Sequence, residues 1–142
     1  MSTSRSALYL AWFVAITATL GSLFFSEIQH FPPCVLCWYQ RIAMYPLVAL
    51  IGIGLVRRDR WLSLYVLPFS VAGLIIAAFH VLLYYGIIPE SNAPCSAGIS
   101  CTTKYIEWFG FVTIPLLSLV AFSVITGCAF IALKAAKKTE TR

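Results

Sequence analysis

Four long stretches without a charged residue constrain this chain more than any other feature: residues 7–25, 42–56, 62–88 and 111–133. Three of them exceed the length of about 18 residues at which an apolar run reads as a membrane-crossing helix. The second reaches that length if its helix opens near Cys34, which leaves Arg41 as its one charge inside the bilayer. With 61% of its residues hydrophobic and 11% charged, the 142-residue chain lacks the polar surface of a soluble domain. The first stretch follows Arg5, as a signal peptide would. Its apolar run outlasts the usual h-region of about 7–15 residues and no small-residue cleavage site follows, so it reads as a retained helix. The expected fold is an all-α, four-transmembrane-helix bundle in a single integral membrane domain, 1–142, with helices at about 7–25, 35–56, 62–86 and 111–133.

The charges orient that bundle. Arg57, Arg58, Asp59 and Arg60 lie between the second and third stretches, Lys134, Lys137, Lys138 and Arg142 follow the fourth, and Arg5 precedes the first. All three segments fall on one side of an up-down array, and the positive-inside rule puts that side, with both termini, in the cytoplasm. The net charge of +5 is accounted for by this asymmetry and does not imply nucleic acid. Gly21, Ser22, Gly52, Gly54, Gly73 and Gly127 are small residues of the kind that let membrane helices approach closely. Pro46 and Pro68 predict kinks. Trp38, Tyr39, Tyr84, Tyr85, Trp108 and Phe109 gather at the outer helix ends as an aromatic belt.

The outward loops, 26–40 and 86–110, hold Cys34, Cys37, Cys95 and Cys101. The fifth cysteine, Cys128, sits deep in the fourth helix and reads as an inert buried residue. Cys34 and Cys37 follow Pro32-Pro33 and open the second helix, where unpaired amides and the helix dipole favour thiolates, the species that attacks a disulfide. Cys95 and Cys101 flank a short loop of small and polar residues. A disulfide there would stabilise the fold little and is expected to be accessible and mobile, although a structural bridge is an alternative. Four thiolates could also hold zinc. The separation of the pairs and an oxidising outer compartment argue against it, so no metal is expected.

Arg41 follows Cys34 and Cys37 at helical spacing and shares their face. A charge at membrane depth marks function by default, the alternative being that it snorkels to the surface. His80 lies at a similar depth in the third helix, with Tyr84 one turn above it, and is either a hydrogen-bonded core residue or a ligand. Together Arg41 and His80 offer donors to the carbonyl oxygens of a flat, lipid-soluble ring, with Cys37 one turn above. A quinone satisfies that placement and accepts two electrons from a dithiol.

With these residues in view, the chain resembles the DsbB and BdbC family of membrane thiol-disulfide oxidoreductases, most closely its shorter BdbC-like branch. The resemblance spans nearly the whole chain. It rests on Gly21 to Glu27, on Pro33-Cys34-Val35-Leu36-Cys37-Trp38-Tyr39-Gln40-Arg41, on Phe79-His80, and on Cys95 and Cys101. It implies a protein dithiol:quinone oxidoreductase of the bacterial cytoplasmic membrane, with its active cysteines outside. Such an enzyme reoxidises an extracytoplasmic thioredoxin-like thiol oxidase and passes the electrons to ubiquinone or menaquinone. Carried onto this chain, Cys34, Cys37, Cys95 and Cys101 are the catalytic cysteines, and Arg41 and His80 bind the quinone. The loop between Cys95 and Cys101 is much shorter than in the DsbB branch, so which of the two meets the partner stays open. A quinone reductase like vitamin K epoxide reductase, or a non-catalytic membrane protein with structural loop disulfides, are the alternatives. The N-terminal position of the membrane-edge pair argues against the first, and Arg41 has no purpose in the second.

Overall fold

A computed structural model of the chain describes residues 2–96, 98–104 and 112–141. Four helices dominate: α1 (Ser2–Leu23), α2 (Val35–Arg57), α3 (Leu62–Tyr84) and α4 (Ile114–Glu140). Each is long and apolar enough to cross a membrane, and the chain is an all-α, multi-pass membrane protein.

The helix ends differ from those expected, for local reasons. α1 starts earlier and continues through one π-helical turn, Phe24–Ile28, giving an unbroken span of 26 residues from Thr3 to Ile28. α4 begins at Ile114 because Thr113 caps it, its Oγ1 accepting the Leu116 N–H at 3.4 Å, and because Pro115 is tolerated in a first turn whose amides have no helical partner. Its polar extension past residue 133 carries Lys137 and Lys138 in the last turn, where they complement the helix dipole. Trp108 and Phe109 of the expected belt, and Phe111 at the expected start of the fourth helix, lie outside the described residues. Pro46 and Pro68 each withhold one backbone donor, yet α2 and α3 run on through them.

α2 stops where Arg58 turns left-handed (φ 54°, ψ 37°) and its N–H reaches back to the carbonyls of Gly54 and Leu55. The Asp59 carboxylate then accepts the Trp61 N–H at 2.8 Å, and the chain reverses into α3 within four residues, 58–61. Every helix packs on two neighbours: α1 on α2 and α4, α3 on α2 and α4. In this up-down ring the chain ends and the arginine-rich turn gather at one end of the bundle. The four outer-loop cysteines gather at the other.

Small residues on two helices make room for large ones on the others. Ala11 and Ala15 of α1, with Ser70, Gly73 and Ala77 of α3, are buried against a core that includes Leu47, Ile51, Phe122 and Ile125. A methyl group on Gly73 would overlap the Phe122 ring, and one on Gly54 would overlap Leu62. Gly52 faces the indole of Trp12, whose Nε1–H donates to the Val48 carbonyl at 3.0 Å and ties α1 to α2. Gly21 and Gly127 do not serve close approach, since nothing would meet a side chain at either. Leu10, Phe13, Ile42, Ile53, Ile75 and Phe130 are exposed on the outside of the ring, as a lipid-facing surface requires.

If Gly73 exists to admit Phe122, Gly73→Ala should destabilise the bundle by about 1–3 kcal/mol through overpacking. Thermal unfolding in detergent would read this. Adding Phe122→Leu should leave a double variant more stable than the two single losses added together, and strict additivity would disprove the contact.

Candidate redox site

The site is assembled at the start of α2. Pro32 and Pro33 hold the chain extended into Cys34 (φ −71°, ψ 171°), which is the N-cap of the helix. Its sulfur accepts the Cys37 N–H at 3.4 Å, a bond that a serine or aspartate oxygen makes in most caps. The same first turn brings the Cys37 sulfur to 2.9 Å from that of Cys34, with no bond between them. Cys34 lies just outside the span of α2. The Cys37 thiol, donating to its sulfur, holds it well below the ordinary thiol range; burial opposes this and His80 assists it. Cys34 is therefore the better nucleophile of the two.

Cys95 and Cys101 form a disulfide with their Cα atoms 5.8 Å apart. The accessible, mobile bond expected from the loop's composition is instead covered: each cysteine is 3% exposed. Packing explains the cover: the turn Pro94–Ser96 packs on α2, and Cys34, Leu36, Leu83, Cys95 and Cys101 share one buried cluster. Within the loop, the Glu90 carboxylate accepts from the hydroxyls of Ser100 and Thr102, while the Thr102 N–H donates to Ser100 Oγ at 3.2 Å. Gly98, at φ +119°, supplies a backbone conformation that a side chain would strain.

His80 stands between the pairs and is 2% exposed. Its Nε2 lies 3.1 Å from the Cys101 carbonyl and 3.9 Å from Cys34 Sγ. Its Nδ1 lies 3.2 Å from Gln40 Nε2, and Gln40 Oε1 accepts the Ser118 hydroxyl at 2.6 Å. With the Gln40 oxygen occupied, its amide nitrogen is the group left to donate to Nδ1. The ring hydrogen then sits on Nε2 and is donated to Cys101. Gln40 and Ser118 were not singled out from the sequence. The signal was present, because a glutamine and a serine buried in apolar spans need partners.

Arg41 is held from α1: its Nε donates to Ser22 Oγ and its Nη2 to the Ser22 carbonyl, each at 3.0 Å. Its guanidinium also lies 5.2 Å from the centroid of the Trp38 ring. Arg41 and His80 do not converge on one space. Arg41, Gln40 and Ser118 line an apolar cavity of about 480 Å³ walled by aromatic residues that include Phe13, Phe25 and Phe31. His80 lines a second, smaller one of about 30 Å³, with Cys34, Cys101 and Tyr84. Cys37 borders both. Cys128 is buried in the main core with Ala129 and Ala132, apart from the cluster that holds Cys34, Cys95 and Cys101.

Two cysteine pairs in one buried cluster, one bonded and one free, can exchange a disulfide without leaving the protein. The family model described as disulfide bond formation protein DsbB matches residues 4–132. The probable disulfide formation protein C 1 of Bacillus anthracis is 48% identical over 129 residues, which cover 90% of this chain and 92% of the relative. The disulfide bond formation protein C of Bacillus subtilis (strain 168) is 47% identical over 133 residues, 94% and 95% of the two chains. That of Oceanobacillus iheyensis, a probable disulfide formation protein, is 40% identical over 123 residues, 86% and 85%. No solved structure matches significantly. By its match over most of its length and its near-half identity to these relatives, the chain belongs to the DsbB family of disulfide bond formation proteins and is a thiol-disulfide oxidoreductase.

Proposed function

We propose that this protein reoxidises a thioredoxin-like thiol oxidase outside the cytoplasm and delivers the electrons to a membrane quinone, with both of its termini in the cytoplasm. The observation that carries this reading is the position of Cys37, which borders both the small cavity shared with Cys34 and Cys101 and the large apolar one. Electrons entering from the outer pair can leave by the other side of the same residue.

The large cavity suits a quinone head group. Its volume of about 480 Å³ is that of a cofactor pocket, its walls are apolar, and Arg41 stands in them as a donor anchored by Ser22. When bound there, a quinone supplies an acceptor for two electrons and two protons. His80 does not line this space but borders the smaller one with Cys34 and Cys101, which favours a role between the cysteine pairs over one on the ring.

The chain's own residues then act in sequence. A thiolate of the partner attacks Cys95, and Cys101 leaves as a thiolate. Cys101 attacks Cys34 of an oxidised inner pair, across the small cavity that both line, and Cys37 leaves as a thiolate facing the large cavity. The partner's second thiol resolves its bond to Cys95 and departs oxidised. Cys95 attacks Cys101 and displaces the Cys34 thiolate, which recloses on Cys37 as the electron pair of that sulfur passes to the acceptor. The His80 Nε2–H, held toward Cys34 and the Cys101 backbone by Gln40, is placed to stabilise the Cys34 thiolate when Cys95 displaces it.

Turnover is followed by quinone absorbance with a reduced thioredoxin-like substrate and a short-chain quinone. Cys34→Ser or Cys37→Ser should abolish it, and unchanged rates would sink the redox route. Arg41→Ala should raise the quinone KM about 10–100-fold, the equivalent of one charged hydrogen bond of about 1.5–3 kcal/mol, with a normal KM returning Arg41 to a purely structural role. The pairing across the small cavity has its own test. Cys37→Ser with Cys95→Ser should leave a Cys34–Cys101 disulfide, seen by mass spectrometry of non-reduced peptides, whereas Cys37→Ser with Cys101→Ser should yield little of the Cys34–Cys95 bond.

A further inference from the structure

The Cys34, Cys37 and His80 side chains do more than line a cavity together. Their two sulfurs and the imidazole nitrogen all lie within 4.8 Å of one another, among residues that are buried or half-buried. Tetrahedral zinc, with bonds of about 2.3 Å to sulfur and about 2.0 Å to nitrogen, holds such donors roughly 3.5–3.8 Å apart. The observed separations are 2.9 Å for Cys34 to Cys37 and 3.9 Å for Cys34 to His80. The differences are within about 1 Å, the scale of a side-chain rotation. All three residues line the cavity of about 30 Å³, enough for one ion and too small for an organic ligand.

The surroundings also meet the second requirement of a metal-bound histidine, a partner for its other nitrogen. Nε2 can bind a cation only if the ring hydrogen moves to Nδ1. Gln40 permits this by turning its amide half a revolution: Oε1 then accepts the Nδ1–H, and the amide nitrogen donates to the Ser118 oxygen that now serves as acceptor. Every polar group in that line keeps a partner in both arrangements, apart from the Cys101 carbonyl, which loses its donor and comes to border the ion's open fourth position.

We propose that the reduced Cys34–Cys37 pair and His80 form a three-ligand site for a thiophilic d¹⁰ cation of the zinc class, and that occupancy arrests the enzyme in its reduced state. Binding leaves both sulfurs as metal thiolates and releases to solvent the thiol proton still held by the pair, with no electron transferred. A metal-bound Cys37 cannot give up its electron pair to an acceptor, and a metal-bound Cys34 cannot take up a disulfide. The oxidised pair has no thiolate to offer, so the site exists in one redox state and vanishes in the other. The proposal needs no quinone and stands whether or not the large cavity binds one.

The test uses Cd²⁺ as probe, read by its thiolate charge-transfer absorption. The full chain in detergent, carrying Cys95→Ser and Cys101→Ser so that only three thiols remain, is reduced, freed of reductant under anaerobic conditions and titrated. One equivalent of Cd²⁺ should bind. Cys34→Ser should abolish the signal, and His80→Gln should weaken binding by more than about tenfold. Gln40→Leu should weaken it about 10–100-fold, as losses of a ligand's orienting partner do. His80→Cys, which replaces the nitrogen with a third sulfur, should restore affinity and increase the absorption. The unsubstituted protein, fully oxidised, should bind none, a comparison that requires no variant to fold. Absorption unaffected by His80→Gln, equal in the oxidised protein, or lost with Cys128→Ser would overturn the proposal. Protein that is reduced, incubated with Cd²⁺ or Zn²⁺ and freed of unbound metal should turn over slowly until a chelator is added, whereas protein treated in the same way while fully oxidised should turn over normally; equal inhibition of the two samples would count against the proposal.

Discussion

A histidine buried inside an apolar membrane helix must find partners for both ring nitrogens, because lipid will not supply them. His80 finds one in Gln40 and the other in the Cys101 backbone. Those two bonds, with Ser118 behind Gln40, join α3 to α2, to the outer loop and to α4. The polar line sets how deeply the loop sits on the helix ends, and with it the distance between the cysteine pairs. Were His80 apolar, the loop would have no buried donor to hold its carbonyl down over Cys34.

The first turn of α2 carries the second constraint. A helix start has unpaired amides, and in most proteins a hydroxyl or carboxylate oxygen satisfies one of them. Here a sulfur does so. The cap that terminates the helix is thereby also its reactive atom, so the geometry of the Cys-x-x-Cys pair is inherited from backbone structure and needs no separate scaffold. Arg41, one turn further in, is fixed from another helix by Ser22, which places a permanent positive charge beside the large cavity.

Much of this was legible before any coordinates. The uncharged runs announced four helices, and the spacing of Cys34, Cys37 and Arg41 placed them correctly at one helix start. What could not be read was lateral register. Arg41 and His80 share a depth, which suggested that they share a ligand, yet depth does not say on which side of Cys37 each one falls. The burial of Cys95 and Cys101 was hidden for a similar reason. Small polar neighbours describe a loop's composition, while its cover depends on docking against Leu36 of α2 and Leu83 of α3, residues far from it in sequence. Gln40 and Ser118, 78 positions apart, met only when α2 and α4 were assembled. The start of α4 was an ordinary oversight, since Thr113 and Pro115 are the local signs of a helix beginning.

The cover over the outer disulfide gives this protein a way of choosing whom it reacts with. Thiol attack requires approach along the line of the sulfur–sulfur bond, and a bond whose cysteines are 3% exposed offers no such line to a molecule in solution. A reductant in solution must wait for the loop to lift from the helix ends. Anything that bound the loop and lifted it would raise the rate of attack while leaving the potential of the bond unchanged.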